Sequence, residues 1–142
     1  MVGSQMRVPS ILIVDDDPSV RALLVALLTR RGYAYTLAED GEAAVCHLRR
    51  TRYDAVLLDL MLPKLNGFEV LRFLRAERPQ ALGRVIVLTA ASNATLRDFD
   101  SRGIRALMRK PFDIDELMRE LDVCCAQLPL IKERCLSAPA AE

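Results

Sequence analysis

Short, continuous apolar runs recur along this chain, separated by segments of helical period, and that alternation leaves few folds open. Ile11-Leu12-Ile13-Val14 leads into Asp15-Asp16-Asp17, and Ala55-Val56-Leu57-Leu58 leads into Asp59. Val85-Ile86-Val87-Leu88 leads into Thr89, and Ala106-Leu107-Met108 leads through Arg109 to Lys110-Pro111. Uninterrupted apolar runs of about four to eight residues between helical patterns read as strands buried on both faces of a parallel sheet. Ligands of such sheets bind in the crevice outside the carboxyl ends of the strands. The polar residues that follow the runs therefore converge on one edge.

The segments between the strands carry their own punctuation. Asp17-Pro18 reads as an N-cap with proline at the first helical position, and Val20, Leu23, Leu24, Leu27 and Leu28 form an apolar stripe that stops at Gly32. Tyr33 to Ala38 reads as the second strand, and Asp40 caps a helix from Gly41 to Arg50 with Ala44, Val45 and Leu48 inward. Pro63 to Gly67 is a turn, followed by a helix from Phe68 to Arg78 that ends before Pro79. A weakly patterned helix follows the polar stretch from Ser92 and ends near Gly103. The last helix runs from about Asp113 to about Leu128, with Ile114, Leu117, Met118 and Leu121 at helical spacing. Five strand–helix units predict an α/β fold: a doubly wound, five-stranded parallel sheet in the flavodoxin-like order 2-1-3-4-5, with five helices and right-handed crossovers.

Length bounds this to one domain. The 142 residues, 51% of them hydrophobic, suffice for one sizeable core. We read residues 1–9 as a flexible leader, 10–128 as the domain and 129–142 as a tail or linker. A formal net charge of +1 with interspersed signs argues against a nucleic-acid surface. The apolar runs are too short for a membrane span, and the N-terminus lacks the regions of a signal peptide. Cys46, Cys124, Cys125 and Cys135 form no CxxC pair, which points to a reduced, cytoplasmic setting. The single histidine, His47, reads as a solvated helix position.

The chemistry lies in the converging residues. Asp15, Asp16 and Asp59 fall at the ends of neighbouring strands, where three close carboxylates repel unless a cation relieves them. A hard ion with oxygen ligands does so, and Mg²⁺ suits a few carboxylates plus water and phosphate oxygens. One carboxylate can then attack a phosphoryl group, with Lys110 offsetting charge and the Thr89 hydroxyl hydrogen-bonding an oxygen. Taken singly, each residue has a bland account: Asp17 a cap, Asp59 a turn former, Thr89 a strand residue, Lys110 a surface charge. Four such accidents at four strand ends are needed for the bland account to hold throughout.

Val14-Asp15-Asp16-Asp17, Leu58-Asp59-Leu60-Met61-Leu62-Pro63, Asn66-Gly67, Leu88-Thr89-Ala90 and Lys110-Pro111-Phe112 together resemble the receiver domain of bacterial two-component response regulators, over about Ser10 to Leu128. The resemblance implies that Asp59 accepts a phosphoryl group from a sensor histidine kinase, a phosphotransfer protein or a small phosphodonor. It implies Mg²⁺ held directly by Asp16, Asp59 and the Met61 backbone carbonyl, with Asp15 acting through water. It also implies a cis Lys110–Pro111 bond and an output face made of the fourth helix, fifth strand and fifth helix, about Ala94 to Leu128. That face would bind a downstream protein or a second copy of the chain. The family usually carries Tyr or Phe where this chain has Leu107, and a leucine there is expected to pack in the gap behind Thr89.

Three rival readings stand beside this one. A haloacid-dehalogenase-like phosphatase uses a DxD aspartate with Mg²⁺, but Pro18 and the lack of a later paired acidic motif count against it. A nucleotide or flavin module lacks its glycine-rich phosphate loop. A receiver that works without phosphate, as a constitutive binding module, would not need all five site residues.

Overall fold

The computed structural model describes residues 7–126. The strands are β1 (Ser10–Val14), β2 (Ala34–Ala38), β3 (Ala55–Leu58), β4 (Val85–Thr89) and β5 (Ala106–Arg109). They form one parallel sheet in the order β2-β1-β3-β4-β5. The helices are α1 (Pro18–Arg31), α2 (Gly41–Arg50), α3 (Gly67–Glu77), α4 (Asn93–Leu96) and α5 (residues 114–126), with a 3₁₀ helix at Pro79–Arg84 between α3 and β4. The expected doubly wound fold is present. The expected tail at 129–142, the leader up to residue 6 and the end of the last helix near Leu128 lie outside the described residues.

Strand alternation divides the core into two layers. Leu12, Val14, Val56, Leu58, Val85 and Val87 face α2 and α3. Ile11, Ile13, Leu57, Ile86 and Leu88 face α1 and α5, where Leu24, Leu28, Leu117 and Leu121 meet them. Both faces of β1, β3 and β4 are buried, which is why those strands read as unbroken apolar runs.

Helix ends follow local chemistry. The Asp17 carboxylate accepts from the Ser19 N–H ahead of Pro18, and Gly32, at φ 81°, closes α1 by donating to the Leu28 and Thr29 carbonyls. Asn66 and Glu69 form a reciprocal capping box at the start of α3. Gly67 admits that start directly under the site: a Cβ there would lie 2.4 Å from the Asp59 carbonyl oxygen.

Three expectations need correction. Leu23 is exposed, because the face of α1 that meets the sheet is carried by Leu24 and Leu28. The fourth helix is a single turn that stops at Leu96, since the polar stretch after it offers no continuous apolar stripe; Phe99 and Ile104 pack on the core from irregular backbone instead. Leu107 is also exposed, at 39%. It pairs in register with Val87, so it stands on the face α4 should cover. The one-turn helix leaves it open.

Candidate functional site

The site forms where the sheet changes winding direction, between the carboxyl ends of β1 and β3. Backbone hydrogen bonds extend the ladder just past the strands: Asp15 N–H donates to the Ala38 carbonyl, Asp59 N–H to that of Val14, and Lys110 N–H to that of Thr89. Asp15, Asp59 and Lys110 are thus each fixed by the strand beside them. Candidate ligand oxygens of Asp15, Asp16 and Asp59 all lie within 4.8 Å of one another. Asp15 and Asp59 are buried and Asp16 is exposed, so the cluster opens to solvent on the Asp16 side.

Lys110 reaches into the cluster from the end of β5. Its Nζ lies 2.8 Å from Asp15 Oδ2 and 3.2 Å from Asp59 Oδ2. The other Asp15 oxygen accepts from the Asp17 N–H at 2.8 Å, and the other Asp59 oxygen accepts from the Met61 N–H at 3.1 Å. Asp15 is therefore the more tightly held carboxylate. Burial pushes the Asp59 carboxyl above its ordinary pKa and the Asp15 charge adds to this; the Met61 N–H and Lys110 oppose it without winning. Burial alone would lower the Lys110 ammonium, but hydrogen bonding to Asp15 and the charges of both carboxylates raise it instead.

Thr89 is fully buried at the end of β4, and its Oγ1 accepts from the Ala91 N–H at 3.1 Å. The hydroxyl proton remains available to an oxygen brought into the pocket. The Lys110–Pro111 bond is cis. The structure gathers Asp15, Asp16, Asp59 and Lys110, with Thr89 on the adjacent strand end. Leu107 is not part of this pocket.

Sequence reasoning missed the backbone and arginine supports. Arg21 donates to the Asp15 carbonyl at 2.8 Å, and Arg109 donates to the Ala91 carbonyl at 3.0 Å while also contacting Asn93 Oδ1. Neither arginine stands in a recognisable motif. Only the folded register brings them to these carbonyls. The donor set is one that hard divalent cations prefer: three carboxylates, no thiolate or imidazole, and an open side for water.

The family model for the response regulator receiver domain matches residues 11–122. The transcriptional regulatory protein TcrA of Mycobacterium tuberculosis is 38% identical over 130 residues, covering 90% of this chain and 50% of TcrA. The DNA-binding dual master transcriptional regulator RpaA of Synechocystis is 38% identical over 112 residues, 78% of this chain and 46% of RpaA. The chain spans about half the length of these curated relatives. Among solved structures, the receiver domain of a Pseudomonas aeruginosa sensor histidine kinase, with a magnesium ion coordinated in its active-site cleft, superposes with a TM-score of 0.75 at 33% identity. That match covers 84% of this chain and 99% of the other. The Thermotoga maritima response regulator TrrA, in complex with Mg²⁺ and BeF, superposes with a TM-score of 0.72 at 34% identity, covering 82% and 98%.

Proposed function

This chain belongs to the response regulator receiver-domain family, and we propose that within it Asp59 is the residue that accepts the phosphoryl group. The observation that carries this reading is the unequal grip on the two buried carboxylates. Asp15 is held at 2.8 Å on both oxygens, whereas Asp59 is held at 3.1 and 3.2 Å and has a raised pKa. A loosely held carboxylate is freer to act as the nucleophile.

An Asp59 oxygen attacks the donor phosphorus and forms a P–O bond. The bond from phosphorus to the donor breaks, and its electron pair leaves with the donor. Asp15, Asp16, Asp59 and the Met61 carbonyl would hold Mg²⁺, which when bound neutralises carboxylate and phosphoryl oxygens. Lys110 lies against Asp59 and offsets charge on the transferred oxygens, while Thr89 donates its hydroxyl to one of them. The donor is a sensor histidine kinase, a phosphotransfer protein or a small phosphodonor.

Output runs through protein contacts on the face from residue 94 onward, with a downstream protein or a second copy of the chain. A formal net charge of +1 over the whole chain supports protein contact over direct DNA binding. No described helix is long and apolar enough to cross a membrane. The test is intact mass after incubation with acetyl phosphate and Mg²⁺. One phosphoryl group should add to the wild type and none to Asp59→Asn. Wild-type labelling in Asp59→Asn, or label mapped to Asp15, would overturn the assignment.

A further inference from the structure

At the opposite edge of the sheet, Arg49, Arg50, Arg52, Arg78 and Arg84 ring a cavity of about 330 Å³ between α2 and the 3₁₀ helix. Its floor includes Tyr53, Val56 and Leu74, all buried. The volume falls at the lower end of the range for small-molecule sites, which combine apolar walls with a few fixed polar groups.

Several of these guanidiniums are fixed in place without being neutralised. Arg84 is half-buried and donates from Nε to the Tyr53 carbonyl at 2.9 Å and from a terminal nitrogen to that of Gln80 at 3.3 Å. Arg78 donates to the Glu77 and Arg49 carbonyls at 3.0 and 3.5 Å, and Arg50 lies 3.4 Å from the Cys46 thiol. Among the described residues none of the three pairs with a carboxylate. The nearby acids serve others: Glu77 lies 3.8 Å from Arg49, and Asp54 lies 3.9 Å from Arg52 but is already gripped by Arg7. A carbonyl fixes a guanidinium's direction and leaves its charge in place. Burial and then the Arg52 charge push the Arg84 pKa down, and the Asp54 charge opposes them without winning.

We propose that this cavity binds a small phosphate-bearing ligand with a planar apolar body, a nucleotide in chemical class. The guanidinium fork matches phosphate oxygens two at a time, and arginine also stacks on planar rings. The apolar side chains behind the arginines are themselves buried, so the body of such a ligand would lie on the guanidinium planes and their aliphatic stems. A bare carboxylate side chain of a partner protein would answer the charge but leave the guanidinium planes unstacked. Tyr53, to which Arg84 is anchored, lies about 20 Å from Asp59 along the chain at the usual strand rise, so occupancy among the arginines is separable from phosphorylation.

The experiment titrates AMP, ADP, pyrophosphate and adenosine separately into the full chain in EDTA, followed by calorimetry and amide shifts. AMP and ADP should saturate with shifts at the arginine cavity, and adenosine and pyrophosphate should each bind at least about tenfold more weakly than ADP. Arg78→Gln and Arg50→Gln should each weaken ADP by about tenfold, the size of one lost charge-assisted hydrogen bond. Both variants should keep the wild-type thermal response to Mg²⁺, which shows that they are folded, and Asp59→Asn should bind ADP unchanged. No saturation, or equal affinity in the arginine variants, would overturn the site. Pyrophosphate matching ADP, or a poly-glutamate peptide displacing ADP at lower concentration, would overturn the ligand class.

Discussion

β3 carries a buried carboxylate at each end: Asp54 just before it, 1% exposed, and Asp59 just after it, 5% exposed. Burial is equal, but the surroundings are opposite. Asp54 receives both arms of the Arg7 guanidinium at 3.1 Å and the Ser10 N–H at 2.8 Å, with Arg52 a further 3.9 Å away. Asp59 shares one ammonium with Asp15 and faces two like charges. A carboxylate whose hydrogen bonds are all answered can only hold structure together. One left with excess negative charge around it keeps affinity for a cation and reactivity toward an electrophile. The two edges also differ in sign, acid at the carboxyl end and arginine at the amino end, so attraction of ions is divided between them.

The first expected effect is on stability at the amino end. Asp54→Ala should cost about 1.5–3 kcal/mol, because the Ser10 N–H and a partly buried guanidinium lose a charged acceptor; Arg7 is 45% exposed, which places the result toward the lower figure. Asp59→Asn should be neutral or stabilising in EDTA, since it removes repulsion. Urea denaturation of both variants reads this directly. Equal losses would break the contrast.

Mg²⁺ should sharpen it. Binding to the native state alone stabilises by about 2.7 kcal/mol at a hundredfold excess over the dissociation constant. The rise in Tm across a Mg²⁺ titration should be full in wild type and Asp54→Ala and largely absent in Asp16→Ala. A flat wild-type curve into the millimolar range would count against the acidic cluster as a cation site.

How much of this contrast the sequence discloses depends on chain continuity. β1, β3 and β4 are buried on both faces, so each is an uninterrupted apolar run whose end marks a site residue. The strand-end places of Asp15, Asp59 and Thr89 were legible for that reason, whereas β5, which leads to Lys110, is only partly buried. The amino end was not legible, because Arg7, Arg52, Asp54, Arg78 and Arg84 come from separated segments with no shared motif. α4 and Leu107 depart from expectation together: a polar segment after β4 allows a helix without requiring one, and the exposure of Leu107 follows from that helix's length.

A pH profile makes a smaller test. The Asp59 carboxyl is raised above 3.8, chiefly by burial, so the folded state holds its proton more tightly than the unfolded chain. The ionised form therefore costs stability above the raised value. That cost is relieved as pH falls from the raised value toward the ordinary one. Wild type should gain on Asp59→Asn over this window in EDTA, and the difference should stay constant above it. A gap that widens on acidification would show that Asp59 is stabilised as an anion.

The smallest expected effect falls on Leu107, and it locates the path from pocket to surface. Exposed at 39%, it has little packing to lose, so Leu107→Ala should cost less than about 1 kcal/mol, against about 2–5 kcal/mol for fully buried Leu57→Ala. The contacts that tie the pocket to the α4 region lie elsewhere. The Thr89 hydroxyl accepts from Ala91, and Arg109 donates to the carbonyl of that same residue. A phosphoryl oxygen that draws the Thr89 hydroxyl inward would reorganise the loop to which Arg109 is bound, a two-state shift biased by the ligand. Beryllofluoride with Mg²⁺ should then shift the amides of residues 89–96 and of β5 in wild type and equally in Leu107→Ala. Thr89→Ala should still accept phosphate at Asp59 but lose most of that shift. A response intact in Thr89→Ala, or erased in Leu107→Ala at equal folded fraction, would assign the signal to the leucine rather than to the hydroxyl and the arginine.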